Sequence, residues 1–192
     1  MKNRIFNTGI TALSLFITLT FFSCSSDKTK QDSKDAATEK NGVMSEAKEG
    51  DAQFLVNAAE INLKEIQLGQ LAETNSMMLL VKELGKTMEE DHVNAQKNLQ
   101  ELAAKKEIAV PSTLTENGQD AYKKLMEKTG TDFDDEYCSM MIDGHKEAIA
   151  KFTKASTDAT DPDIKAWAAS MLPDLQKHLD ETISCQEKCA KM

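Results

Sequence analysis

Residues 132–157 read DFDDEYCSMMIDGHKEAIAKFTKAST. In this stretch Cys138, Met141, His145, Ala148, Phe152 and Ala155 recur at alternating spacings of three and four. A helix with 3.6 residues per turn places all six on one stripe and most of the charged residues on other faces. A strand would need sustained alternation of period two, which is absent here. The segment predicts a long amphipathic helix with a histidine in the middle of its buried stripe.

The same period runs through everything after Asp51. A first helix, about 51–73, aligns Phe54, Ala58, Ile61, Glu65, Leu68 and Ala72. A second, from near Ser76 to Lys106, aligns Val81, Met88, His92, Ala95, Leu99 and Leu102. Pro111 and Ser112 mark a break, and a shorter helix follows at about 113–129. After the long helix at about 132–157, Asp161-Pro162 supplies an N-cap and a proline suited to the first helical position. The last helix aligns Ile164, Ala168, Met171, Leu175, His178, Thr182, Cys185 and Cys189, and Pro173 should kink or interrupt it. Four long helices and one short connector predict an all-α, four-helix bundle over 51–192. Aromatics at 5% against ten methionines suit helix packing better than sheets.

Upstream, residues 1–50 carry an address and a tether. Lys2 and Arg4 precede an apolar run from Ile5 to Phe22, as in an export signal. The run ends Phe21-Phe22-Ser23-Cys24, which resembles the lipobox of bacterial lipoproteins, so residues 1–23 are expected to be removed and Cys24 acylated. Several acyl chains would hold the protein on a membrane, since each buried CH2 contributes about 0.8 kcal/mol. Ser25 is not the Asp of the common inner-membrane retention signal, which makes the outer membrane, facing the periplasm, the expected location. Residues 25–50 are polar, of mixed charge, and read as a disordered linker. The net charge of −9 argues against nucleic acid as a partner.

The chain has three histidines, His92, His145 and His178, each on the buried stripe of a different helix. Glu65 lies on the stripe of the fourth. Inward polar side chains on facing helices are how bundles build metal sites. Imidazole suits copper, zinc or iron, and the shared Met-x-x-x-His spacing (Met88 with His92, Met141 with His145) would favour copper. Asp91 is a further acidic neighbour. The competing reading makes each histidine a hydrogen-bonded core residue of a structural or interaction protein. The ferritin-like di-iron pattern wants Glu-x-x-His on two helices; here only Glu89 precedes His92 so, while Ile142 and Leu175 occupy the other two places. Metal handling or envelope stress is thus a better expectation than catalytic turnover.

Register sharpens this reading. With hairpin turns centred near 75.5 and 161.5, each histidine sits 16.5 residues from its turn. His145 and His178 should face each other. His92 should join them in an up-down-up-down bundle, but be displaced along the axis if residues 107–131 cross the full length. Glu65 falls 10.5 residues from its turn and about 9 Å off level, at 1.5 Å per residue. A shared ion requires the three imidazoles to converge within about 5–6 Å. Cys138 and Cys185 are centred on the same point as His145 and His178, which predicts a disulfide in an oxidising compartment, with Cys189 one turn further out as the competitor.

Several blocks look like a known family: Glu65-Ile66-Gln67-Leu68-Gly69-Gln70-Leu71-Ala72, Met88-Glu89-Glu90-Asp91-His92, Met140-Met141 to His145, and Leu172-Pro173 with His178-Leu179. Over about 51–182 the chain resembles a bacterial family of exported proteins catalogued as domain of unknown function 4142. The resemblance implies a ferritin-like helical bundle with inward histidines at His92, His145 and His178, and no established activity. Asn62 and Gly144 depart from it; the family often has Gly and Asp there.

Overall fold

The computed structural model describes residues 31–42 and 45–191. The export segment and Cys24 lie outside them. Among the described residues there are six helices and no strand: α1 (Ser33–Asn41), α2 (Glu46–Asn75), α3 (Leu79–Lys105), α4 (Glu116–Met126), α5 (Gly130–Asp158) and α6 (Pro162–Cys189). No described helix is long and apolar enough to cross a membrane.

Two antiparallel hairpins, α2 with α3 and α5 with α6, make the bundle. Their relative direction follows from the contacts at the two ends. At the lower end, the buried Asp51 carboxylate of α2 accepts from the backbone N–H groups of Thr160 and Asp161, in the turn between α5 and α6. Lys106, just past α3, pairs with Asp161 and Asp163 at the start of α6. At the upper end, Ser76 in the α2–α3 turn donates its hydroxyl to Asp134, near the start of α5. Both α3 and α5 therefore run downward, and residues 106–129 with α4 cross the full length between them. This is the ferritin-like order, and His92 is nevertheless level with the other histidines. The expected displacement fails because His92 lies thirteen residues from either end of α3, and His145 is close to the middle of α5. For a residue at mid-helix, reversing the neighbour hardly changes its height.

The close pairing of α2 and α3 depends on two glycines. A Cβ on Gly69 would stand 2.6 Å from the Gly85 carbonyl oxygen, and one on Gly85 2.7 Å from that of Gly69. No other residue type permits this approach, and it draws α2 against α3 one turn above Glu65. Gly130 (φ +58°) opens α5 in the left-handed region. At the other hairpin, Asp161 caps α6 by accepting from Asp163 N–H and Ile164 N–H, with Pro162 behind it. The helix then runs unbroken through Pro173, so the expected interruption does not occur.

Part of the segment expected to be a linker is helical. Its segment 33–41 forms α1, capped by Asp32. Asn41 accepts from Ala109 N–H and donates to Ala109 C=O, while Lys34 pairs with Glu60. These long-range polar contacts, with good helix formers in between, replace the apolar stripe that the segment lacks.

Packing divides the interior into two apolar clusters. The lower contains Leu55, Leu99, Ile164 and Leu175 with the ring group Phe54, Phe152 and Trp167, whose centroids lie 5.0–5.9 Å apart. The upper contains Leu68, Val81, Met88, Phe133, Tyr137, Cys138, Met141 and Cys185. Between them, on all four long helices, lies a polar layer.

Candidate metal centre

That layer consists of Glu65 on α2, His92 on α3, His145 on α5 and His178 on α6, none more than 3% exposed. The ring centroids are 5.7 Å apart for His92 and His145, 5.5 Å for His92 and His178, and 5.3 Å for His145 and His178. One ring nitrogen from each lies within 4.8 Å of the others. Glu65 Oε2 stands 2.8 Å from His92 Nε2 and 3.4 Å from His145 Nε2.

The outer nitrogen of each ring settles its tautomer. His92 Nδ1–H donates to Asn62 Oδ1 (2.9 Å), whose amide nitrogen in turn donates to Gln96. His145 Nδ1–H donates to the Met141 carbonyl (2.9 Å). His178 Nε2–H donates to the Asp91 carboxylate (2.9 Å). Carbonyl and carboxylate oxygens only accept, so each neutral ring turns an unprotonated nitrogen inward. Those inward atoms, His92 Nε2, His145 Nε2 and His178 Nδ1, together with both oxygens of Glu65, have no hydrogen-bond partner. At 2.8 Å, a neutral His92 turns a lone pair to a carboxylate oxygen, whereas a protonated His92 pairs with it.

Electrostatics point the same way. Burial acts to raise the Glu65 pKa, but His145 and His92, when they carry a proton, and the hydrogen bond that a protonated His92 then gives reverse this and hold it at about 2. The carboxylate stays ionised and is balanced by positive charge before it, which a protonated ring or a bound cation can supply. Burial pushes His178 below the usual imidazole range; the Asp91 contact opposes this, and the neighbouring His92 and His145 add to it. A neutral imidazole is the form that binds a metal. A small cleft of about 130 Å3, lined by Asp91, His92, Met171, Leu175 and His178, opens beside the rings to the surface.

Sequence reasoning undervalued α2. The α2–α3 turn is centred on Met77, because Ser76 to Met78 belong to neither helix, and not on 75.5. Asn62 and His92 are then level, fifteen residues on either side of Met77, and Glu65 is one turn away, about 4.5 Å, which its side chain spans. Asn62, on the same face as Glu65, was legible once the turn was placed. Gly144 belongs here too: a Cβ on it would lie 3.1 Å from Glu65 Oε1. Both departures from the family pattern thus touch the site. Met141 serves the site through its carbonyl, and both Met88 and Met141 are fully buried in the upper apolar cluster.

The cysteines gather two turns above the layer as free thiols. Cys185 Sγ is 4.0 Å from Cys189 Sγ, and Cys138 lies in the same apolar cluster. The pair expected to be bonded, Cys138 and Cys185, is buried in that cluster and unbonded.

Compared with known families, residues 34–184 match the family described as "Domain of unknown function (DUF4142)". No curated protein and no solved structure matches the chain.

Proposed function

The chain belongs to the DUF4142 family, whose description states no activity, and from the site itself we propose that it binds one transition-metal ion through His92, His145, His178 and Glu65. The observation that carries this reading is the convergence of three ring nitrogens, within 4.8 Å of one another, and a carboxylate on one point in a buried layer. A purely structural histidine cluster would use its hydrogen-bonding capacity within the protein. Here the outward half is used in the manner of groups that orient metal ligands: Asn62, the Met141 carbonyl and Asp91 each hold a ring from behind, while the inward nitrogens of the neutral rings find no donor. An inward shift of less than about 1 Å per ring would bring three nitrogens to the usual 2.0–2.1 Å from a common ion. Three imidazoles and a carboxylate suit zinc, iron or copper.

The wider role is metal handling or envelope stress, performed by a lipoprotein anchored through Cys24 on the outer membrane and facing the periplasm. The lipobox-like ending of the apolar run supports the anchor, and Ser25 supports the outer membrane. Cys24→Ala should abolish acyl labelling and release the protein from the membrane fraction.

Metal binding is tested on the full chain, stripped with chelator and titrated with Zn(II), Cu(II) or Fe(II). One equivalent should bind to the parent protein, and His145→Ala should abolish it. Asp91→Asn is the gentler variant, since Asp91 is half exposed; loss of the group behind His178 should weaken binding roughly 10–100-fold while the fold survives. Absence of stoichiometric binding in the folded parent would sink the proposal and favour the core-histidine reading.

A further inference from the structure

We propose that metal ions reach the histidine layer through the cleft between α3 and α6, with Asp174 and Asp91 drawing them in. His178 is the ligand that yields to let them pass. This route presupposes the metal site proposed above. Two cavities flank the layer on opposite faces of the bundle. One is the cleft of about 130 Å3, whose walls come from α3 and α6 and include His92 and His178 themselves. The other, of about 260 Å3, lies among α2, α4 and α5 and reaches Gly144, next to Glu65.

Charge separates the two. Asp91 and Asp174 line the cleft between α3 and α6, and no lysine or arginine does. The opposite cavity is of mixed charge, with Lys64 and Lys124 on its walls among carboxylates. A cleft lined by one sign of charge concentrates counter-ions and speeds their arrival. Here those counter-ions are cations. Asn94, Asn98 and the partly buried Met171 thioether add neutral donors for an ion that is shedding water. The cleft has room for an ion with a few waters, each of about 30 Å3 in the liquid.

The inner wall of the cleft is the least firmly held of the three rings. Behind His92 stands Asn62, 3% exposed and tied to Gln96. Behind His145 stands a carbonyl of the α5 backbone. Behind His178 stands the side chain of Asp91, which is 45% exposed. A hydrogen bond to a carboxylate already half in water is exchanged for water at small cost. His178 is thus the ring free to turn out toward the cleft, while Glu65, His92 and His145 keep three donors in place.

The test follows Co(II), whose ligand-field absorbance reports the bound ion, by stopped flow on the metal-free full chain. Asp174→Lys puts a cation in the cleft at an exposed position of α6 and removes no ligand. It should slow association about tenfold at low ionic strength, and less in high salt, with one equivalent still bound. Asn98→Trp, which fills the cleft from α3, should slow association and dissociation alike and so change affinity little. Asp143→Lys, the matching change on the wall of the opposite cavity, should leave both rates as in the parent. Association of Asp174→Lys at the parent rate, or slowing in Asp143→Lys instead, would overturn the route while the metal site stands. No stoichiometric Co(II) binding by the parent chain would remove site and route together.

Discussion

Below the histidine layer and above it, the same four helices pack with the same period, yet the two halves hold different material. The lower half is hydrocarbon and aromatic, and its buried Asp51 is satisfied by the backbone of the α5–α6 turn. Trp167 Nε1 is an unpaired exception. The upper half buries two thiols, with a third partly exposed, the Asp134 carboxylate and the Tyr137 hydroxyl, of which Asp134 Oδ2 and Tyr137 OH have no partner. Hydrophobic burial secures a fold whatever its detail, whereas unpaired buried polar groups work against stability. The lower half therefore reads as the anchor of the fold, and the layer with the upper half as the part that carries chemistry.

The strongest way to break this division is Phe152→Ala. Phe152 is 2% exposed and lies between Phe54 and Trp167. Its truncation should cost about 3–5 kcal/mol in chemical denaturation and leave the metal stoichiometry unchanged. A folded Phe152→Ala protein that no longer binds metal would show that the two halves are not separable.

Acid should act on the layer before the lower half. His178 has its pKa lowered in the fold, so the unfolded chain takes up the proton first, and stability falls as pH drops below the ordinary imidazole value of about 6.5. Glu65 is ionised in the fold down to about 2 against an ordinary 4.5; its contribution is complete above 4.5 and lost as pH falls between those values. Asp163, paired with Lys105 and Lys106, titrates in the same lower range but is exposed and contributes little. Denaturation of the metal-free protein across pH should show both losses, and Glu65→Gln should remove the lower one. If the lower loss persists in Glu65→Gln, the layer is not its source.

Tyr137→Phe tests the upper half directly. Burial, and then the Glu65 charge, raise the Tyr137 pKa well above its ordinary value, so the hydroxyl stays neutral and unpaired in the fold. Removing it should be neutral or stabilise by up to about 1 kcal/mol in denaturation. A clear loss of stability would mean that the hydroxyl has a partner and that the upper half is better satisfied than it looks.

Much of this division was legible in the sequence. The stripes with spacings of three and four defined the helices and put Glu65, His92, His145 and His178 inward. The equal distances of His145 and His178 from Asp161-Pro162 placed them opposite each other. What resisted reading was the hairpin of α2 and α3. There the level depends on which residues of Ser76 to Met78 leave the helix, and the approach depends on Gly69 meeting Gly85. Neither is a matter of hydrophobic period. The order of the helices was likewise undecided, because residues 106–129 have no apolar pattern that fixes their direction. Helix α1 was hidden for a related reason: hydrogen bonds to Ala109 and an ion pair with Glu60, and no stripe, hold it in place.

The finest test of the division is Gly144→Ala, where the two tendencies meet in one methyl group. Glycine in mid-helix is less favourable than alanine by about 1 kcal/mol, so α5 alone would gain from the change. The new Cβ, however, would stand 3.1 Å from Glu65 Oε1, and the carboxylate would have to yield by a few tenths of an ångström. If the layer is built around a metal, stability should rise by less than about 1 kcal/mol while metal affinity falls a few-fold, since Glu65 is moved from its place. Thermal denaturation of the metal-free protein and a metal titration, run on the same preparation, separate the two effects. A variant that gains in both stability and affinity would mean that Gly144 does not make room for the carboxylate, and that Glu65 can be displaced without disturbing the site.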